Sequence, residues 1–206
     1  IFNFPNQNSI KGYLNLGWNY VNQLIWYVKL RKIGYFFHRN EKAENLSDLK
    51  DYEITEEKIK NIKFKENFDG NIKAIKSHDF LKWRYIEHPF FKYGIMNYEN
   101  SKKQLWGIFS INNIGNHREM FVVDIVGDYG LIDGLLKEIK KVSKEFDVSI
   151  IYMLSNPYID NSQMFKNGYI KLKNKNLVCL PLNLQIEEKL LNYNNWEMFG
   201  GLHDAL

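Results

Sequence analysis

One cysteine, Cys179, in 206 residues excludes an internal disulfide framework and a cysteine-built metal cluster. Its neighbours Leu177, Val178 and Leu180 are apolar, so the thiol is expected to pack as a small hydrophobe on a buried strand rather than to act as a nucleophile. No apolar run approaches the roughly 18 residues of a membrane span, and no transmembrane segment is expected. No block of about five like charges occurs. The formal charge of +4 is spread along the chain, so nucleic acid is not an expected partner, while an anionic cofactor would be tolerated. His203 and Asp204 are too isolated for a metal site, and no metal is expected. The first residue is Ile1 rather than Met, and an upstream segment is expected.

What is present is a core. The chain is 45% hydrophobic and 16% aromatic, enough for one large or two small domains. Residues 24–30 are rich in β-branched and aromatic side chains and read as a strand, continuing towards Phe37. Asn19 to Gln23 reads as a turn. Residues 39–53 are polar, lack periodicity and read as a linker. A short strand is expected at 59–64 and a short helix after Asn67. Strands are expected at 93–98, 104–111 and 117–126, separated by turn-rich segments. Leu131, Leu135, Ile139 and Val142 share a helical face, which predicts a helix over 131–146. A buried strand at 148–153, a short helix at 158–165 and a closing hairpin of 169–173 with 177–182 complete the pattern.

The stretch Phe4-Pro5-Asn6-Gln7-Asn8-Ser9-Ile10-Lys11-Gly12-Tyr13-Leu14-Asn15-Leu16-Gly17-Trp18 concentrates the chemistry. Pro5 suits a first helical turn, Asn6 a cap and Gly17 the left-handed residue past a helix end. At about 100° per residue, Asn6, Ser9, Ile10, Tyr13 and Gly17 share one stripe, more polar than a purely structural face. An ordinary amphipathic helix with a half-buried Tyr13 is the alternative.

The spacing Asn6, Ser9, Tyr13, Gly17, Trp18 resembles the last motif-bearing helix of the GNAT acyltransferases, Asn-x-x-Ala-x-x-Leu-Tyr-x-Lys-x-Gly-Phe. It departs at Gly12, Asn15 and Trp18. The resemblance implies acetyl-CoA as cosubstrate, with Asn6 and Ser9 against the coenzyme arm and Tyr13 as the acid that protonates the leaving thiolate. The chemistry agrees: a phenol near pKa 10 holds its proton at neutral pH, and a thiolate of pKa about 8.5 takes one as it departs.

A second stretch, Asp79-Phe80-Leu81-Lys82-Trp83-Arg84-Tyr85-Ile86-Glu87-His88-Pro89 followed by Tyr93, resembles a segment of bacterial tandem GNAT-like proteins linked to surface-polysaccharide or amino-sugar modification. Trp83, Arg84 and His88 are the substrate-binding candidates it implies. Their plain alternatives are a core aromatic with a paired arginine, and a helix-end histidine. Glu87, His88 and His117 are candidate general bases.

Residues 92–182 then follow the order of one GNAT core. The implied fold is α+β: a GNAT-like mixed, mostly antiparallel sheet flanked by helices. It would comprise one nearly complete copy over 54–206, the tail of a preceding copy over 1–38, and a linker at 39–53. Phe165-Lys166-Asn167-Gly168-Tyr169 echoes Leu14-Asn15-Leu16-Gly17-Trp18. The later copy lacks the family's loop pattern Gln/Arg-x-x-Gly-x-Gly/Ala; Val126-Gly127-Asp128-Tyr129-Gly130-Leu131-Ile132 stands there, with Asp128 where phosphates would lie. Met164 replaces its tyrosine. This copy is therefore expected not to bind acetyl-CoA. The expected activity is cytoplasmic N-acyl transfer from coenzyme A to a small-molecule or sugar amine. The alternatives are a non-catalytic GNAT-like support module, or a Fem-type aminoacyl transferase.

Overall fold

In a computed structural model, which describes residues 1–34, 42–64, 71–182 and 187–202, the chain is an α+β fold. Its elements are β1 (Phe2–Asn3), α1 (Ile10–Asn15), β2 (Asn19–Leu30), β3 (Ala43–Asn45), α2 (Glu56–Lys60), α3 (His78–Leu81), β4 (Gly94–Asn100), β5 (Lys103–Ile114), β6 (His117–Gly127), α4 (Ile132–Glu145), β7 (Ile150–Leu154), α5 (Asn161–Lys166), β8 (Ile170–Cys179) and α6 (Glu187–Leu191). The helical path of α3 continues as a wider π turn over Lys82–Ile86.

The eight strands form one mixed sheet in the order β1-β8-β2-β7-β6-β5-β3, with β4 also on β5. β6 and β7 run parallel; the other ladders among the described residues are antiparallel. The long amphipathic α4 buries Leu135, Ile139 and Val142 in a cluster with Tyr27, Phe109, Met153 and Met164. A second cluster gathers Ile59, Leu81, Tyr85, Ile108 and Val123. A third joins Trp26 and Leu177 to Trp196 and Met198 of the C-terminal segment.

Several expectations change. Residues 19–23 are strand, not turn: β2 starts at Asn19, and its polar residues pair with β8 through irregular register near Tyr20 and Asn22. The closing hairpin is one strand, β8. Lys175, at φ 58°, falls where the register shifts between Asn174 and Asn176, so turn-like residues here build a bulge. The strand expected at 59–64 is instead the end of α2 and an irregular segment, and the short helix begins at Asn161 rather than 158. β2 ends at Leu30, so residues 31–34 do not continue the strand as expected; residues 35–37 and the helix expected after Asn67 lie outside the described residues. The described part of 39–53 adds β3 to the sheet and buries Leu49.

Strands from both sides of the 39–53 boundary share the sheet. Asn19, the second residue past Gly17, pairs with Cys179; Ile170, the second past Gly168, pairs with Val28. Beyond them, Asn3 pairs with Val178 as Met153 pairs with Tyr27, and Phe2 with Cys179 as Tyr152 with Val28. The units β1-α1-β2 and β7-α5-β8 are thus related by a pseudo-two-fold between β2 and β8. Each leaves a one-strand gap that the other's long strand fills.

The two helices also end alike. Gly17 (φ 83°) and Gly168 (φ 79°) are left-handed. Trp18 N–H bonds the Tyr13 carbonyl at 3.1 Å and Gly17 N–H that of Leu14 at 3.1 Å; Tyr169 N–H bonds Met164 at 3.0 Å and Gly168 N–H bonds Phe165 at 2.9 Å. Both are Schellman closures, and the first carries its usual apolar contact: the Tyr13 and Trp18 rings meet edge-on at 5.1 Å. The internal echo in the sequence therefore has a local cause, which is helix termination before a long strand.

Candidate functional site

The pseudo-two-fold pairs residues of unlike chemistry. In β7-α5-β8 the equivalent positions hold Met153 and Met164, both in the buried core. In β1-α1-β2 they hold Asn3 and Tyr13. Asn3 Nδ2 donates to the Tyr13 phenol oxygen at 2.6 Å, while Asn3 Oδ1 accepts from the Phe4 N–H at 2.7 Å. The second bond fixes the amide so that its NH2 faces Tyr13. The phenol oxygen is therefore an acceptor on that side, and its own hydrogen points elsewhere. Tyr13 is half-buried. Asn3 escapes the sequence argument because its partner is set by the β1–β8 ladder.

Asn6 and Ser9 sit before the helix, which starts at Ile10 rather than beside Pro5. Asn6 Oδ1 accepts from Asn8 N–H at 3.0 Å, Ser9 N–H at 2.9 Å and Ser9 Oγ at 3.1 Å. Asn6 thus caps this first turn, as its residue type suggests, and its carbonyl accepts from the Ile10 N–H at 3.0 Å. Asn6 is exposed and Ser9 half-buried. Both lie in the turn that leads into α1; their side-chain bonds stay within that turn, and the Ser9 carbonyl accepts from the Tyr13 N–H at 3.3 Å.

The second stretch does not converge on a point. Trp83 is exposed and Arg84 buried. His88 Nδ1 accepts from the N–H groups of Phe90 and Phe91 at 3.2 and 3.0 Å, so it ties the turn after the π segment. Glu87 is exposed, 3.8 Å from Lys82. His117 Nδ1 lies 2.9 Å from Ser149 Oγ, at the opposite end of β6 from the loop into α4.

That loop spends its amides internally. Asp128 N–H bonds Gln104 O at 2.9 Å, Leu131 N–H bonds Asp128 O at 3.0 Å, and Gly130 N–H bonds Asp128 Oδ1 at 3.0 Å. Lys103 reaches the other Asp128 oxygen at 3.2 Å. Gly127 is at φ 127°, and a side chain there would overlap the Gln104 carbonyl. The N–H groups of Asp128, Gly130 and Leu131 are thus committed, and a carboxylate occupies the loop.

Alongside the loop, β6 and β7 part. Their ladder stops at Val122 and Met153, while β6 runs on to Gly127. Met198, Phe199 and Gly200 fill the gap, leaving about 10 Å³, room for at most one water. Behind this plug lies a buried polar cluster that the sequence argument missed. Lys76 Nζ is 2.7 Å from Asp124 Oδ1 and 3.5 Å from Glu197 Oε1. Tyr85 donates to Asp124 Oδ2 at 3.0 Å. Tyr129 is 3.2 Å from Glu197 Oε1 and takes a bond from Asn156 at 3.1 Å. The available signals were single charges inside apolar runs: Asp124 in Val122-Val123-Asp124-Ile125-Val126, and Glu197 in Trp196-Glu197-Met198-Phe199.

Burial pushes the Tyr85 hydroxyl well above the ordinary phenol range, helped by the Asp124 charge. Burial does the same to Tyr129, helped by Glu197. A raised phenol pKa favours the neutral form in the fold. The stabilisation is therefore complete below the unfolded value of about 10 and is lost as pH rises through the folded value. Urea unfolding is expected to show stability falling above about pH 10, with part of the 295 nm phenolate signal of the 13 tyrosines appearing only on unfolding. Full ionisation in a still-folded protein would contradict this burial.

Among the described residues no three His, Cys, Asp or Glu side chains are placed to hold a metal ion, and no helix is long and apolar enough to cross a membrane. No family model matches the chain, and neither a curated protein nor a solved structure matches it.

Proposed function

We infer that this chain is the acid-bearing part of a GNAT-type N-acyltransferase built from two related units. The observation that carries this reading is the Asn3–Tyr13 pair. Where β7-α5-β8 has two buried methionines, β1-α1-β2 has a phenol whose oxygen accepts from an amide, which leaves its own O–H to donate. In the reaction an acceptor amine attacks the thioester carbonyl of acetyl-CoA. The C–N bond forms, the C–S bond breaks, the amine nitrogen gives a proton to a base, and Tyr13 gives its phenol proton to the departing thiolate. Asn6 and Ser9 are the residues proposed against the coenzyme arm. The acceptor is a small-molecule amine, of which an amino sugar is the proposed example; Trp83, Arg84 and His88 are its proposed contacts.

A second reading is favoured for residues 54–206 taken alone. The committed amides of Asp128, Gly130 and Leu131 and the plug at 198–200 support a GNAT-like unit that has given up coenzyme binding and serves as support. No observation favours the Fem-type alternative.

Thiol release from acetyl-CoA in the presence of amine acceptors tests the first reading in the full-length protein. Tyr13→Phe is expected to lower kcat by about 10²–10⁴-fold, the usual worth of a general acid, with melting temperature nearly unchanged because the residue is half-buried. Unchanged turnover would reject Tyr13 as the acid.

A further inference from the structure

An open cleft of about 470 Å³ lies between residues 73–78 and the end of β6. It is separated from Tyr13 across the sheet by β8, β2 and β7, and it does not depend on acyl transfer. Its walls include Phe64, Ile75, Val126 and Tyr158, and Glu197 and Lys76 lie at its base. The side chains of Lys76 and Glu197 are 9% and 10% exposed.

The charges at that base do not balance. Two carboxylates, Asp124 and Glu197, face one ammonium. Lys76 Nζ is used on Asp124 at 2.7 Å, the Ile125 carbonyl at 3.3 Å and Glu197 at 3.5 Å. Both Asp124 oxygens are engaged, by Lys76, the Ile125 N–H and Tyr85. Glu197 Oε1 has the long contact from Lys76 at 3.5 Å and shares the single Tyr129 hydroxyl hydrogen, at 3.2 Å, with the Ile125 carbonyl at 3.0 Å. Among the described residues, no donor reaches Glu197 Oε2. Glu197 Oε2 is not among the buried side-chain atoms that lack a partner, so it opens to the cleft, where a cation can reach it.

We propose that the cleft is a binding site for a single primary ammonium on an apolar or ring-shaped body, with the ammonium on Glu197 Oε2. The geometry fits such a ligand in two respects. The incoming cation balances the second carboxylate. The rings of Tyr129 and Tyr158, 5.1 Å apart, and of Phe64 offer faces to the body and to the cation.

Isothermal titration of the chain with benzylammonium and, in parallel, benzyl alcohol tests the proposal. Benzylammonium is expected to saturate one site at least about tenfold more tightly than the alcohol, the worth of a hydrogen bond to a charged group. Glu197→Gln is expected to erase that preference. Ile75→Lys adds a cation at the cleft wall and is expected to weaken the amine more than the alcohol; Ile75 is 91% exposed, so this variant reports on charge even if Glu197→Gln does not fold. Absence of saturable amine binding, equal affinity for amine and alcohol, or amine binding unaffected by either variant would overturn the proposal.

Discussion

A chain cut to residues 42–206 is expected to lose cooperative folding, although it keeps every residue of the unit expected over 54–206. The reason is the interleaved sheet. β2 pairs with β7 from Trp26 to Leu30 and with β8 from Asn19 to Val28. Without β1 and β2, β7 becomes an open edge and β8 loses both of its neighbours, with backbone donors and acceptors unpaired. The packing loss is as large. Tyr27 leaves the cluster under α4, and Leu24, Trp26 and Val28 leave the cluster with Trp196 and Met198. Truncating one buried side chain of this size to alanine costs about 2–5 kcal/mol, while whole domains hold only about 5–15 kcal/mol. Circular dichroism melts and gel filtration are expected to show a non-cooperative or aggregated chain. Supplying residues 1–34 as a separate peptide is expected to restore a sharp transition, because the strand closes the sheet through ladders rather than through a covalent link. A truncated chain that melts cooperatively near the full-length midpoint would refute the interleaving.

This interleaving is the part of the fold that the sequence could not disclose. The α4 helix was legible because Leu135, Ile139 and Val142 recur on one face, and all three are buried. The strands β4, β5 and β6 were legible from β-branched and aromatic runs between turn residues. The partner of β2, however, lies some 150 residues away in β8, and no local pattern encodes such a register. Local chemistry also misled. Asn19, Asn22 and Gln23 read as turn, yet they are held in strand by irregular pairing with Leu177, Asn176 and Cys179. Asn174-Lys175-Asn176 read as a hairpin turn and is a bulge in one strand. At the candidate site, Gly17 and Tyr13 were legible through helix-end chemistry. Asn3 was not, since only the tertiary pairing of β1 brings its amide to the phenol. Lys76, Asp124 and Glu197 come from three distant segments, and only charge within apolar surroundings hinted at two of them.

Replacing Lys76 by methionine is expected to cost about 3–5 kcal/mol, the price of stranding one member of a buried ion pair. Asp124 is the stranded partner: its side chain is fully buried, and it would keep only the Ile125 N–H and Tyr85. Lys76 also lies 4.4 Å from the Phe199 ring centroid, a contact worth about 0.5–2 kcal/mol. Its loss would loosen residues 198–200 in the gap between β6 and β7. Asp124→Asn is expected to cost less. Asparagine retains an acceptor for Tyr85, and the Lys76 ammonium keeps Glu197 at 3.5 Å. The double variant Lys76→Met with Asp124→Leu removes both charges and fills similar volume. It is expected to recover most of the loss, since a buried pair exchanged for apolar residues is often neutral. Urea unfolding of the two single variants and the double variant gives the coupling directly. The cycle separates two pictures of the cluster. A large single-variant loss with recovery in the double marks a dry ion pair that pins the C-terminal segment to β6. A loss below about 1 kcal/mol for Lys76→Met is what a solvated pair would give, and it would mean that water from the neighbouring cleft already reaches Asp124.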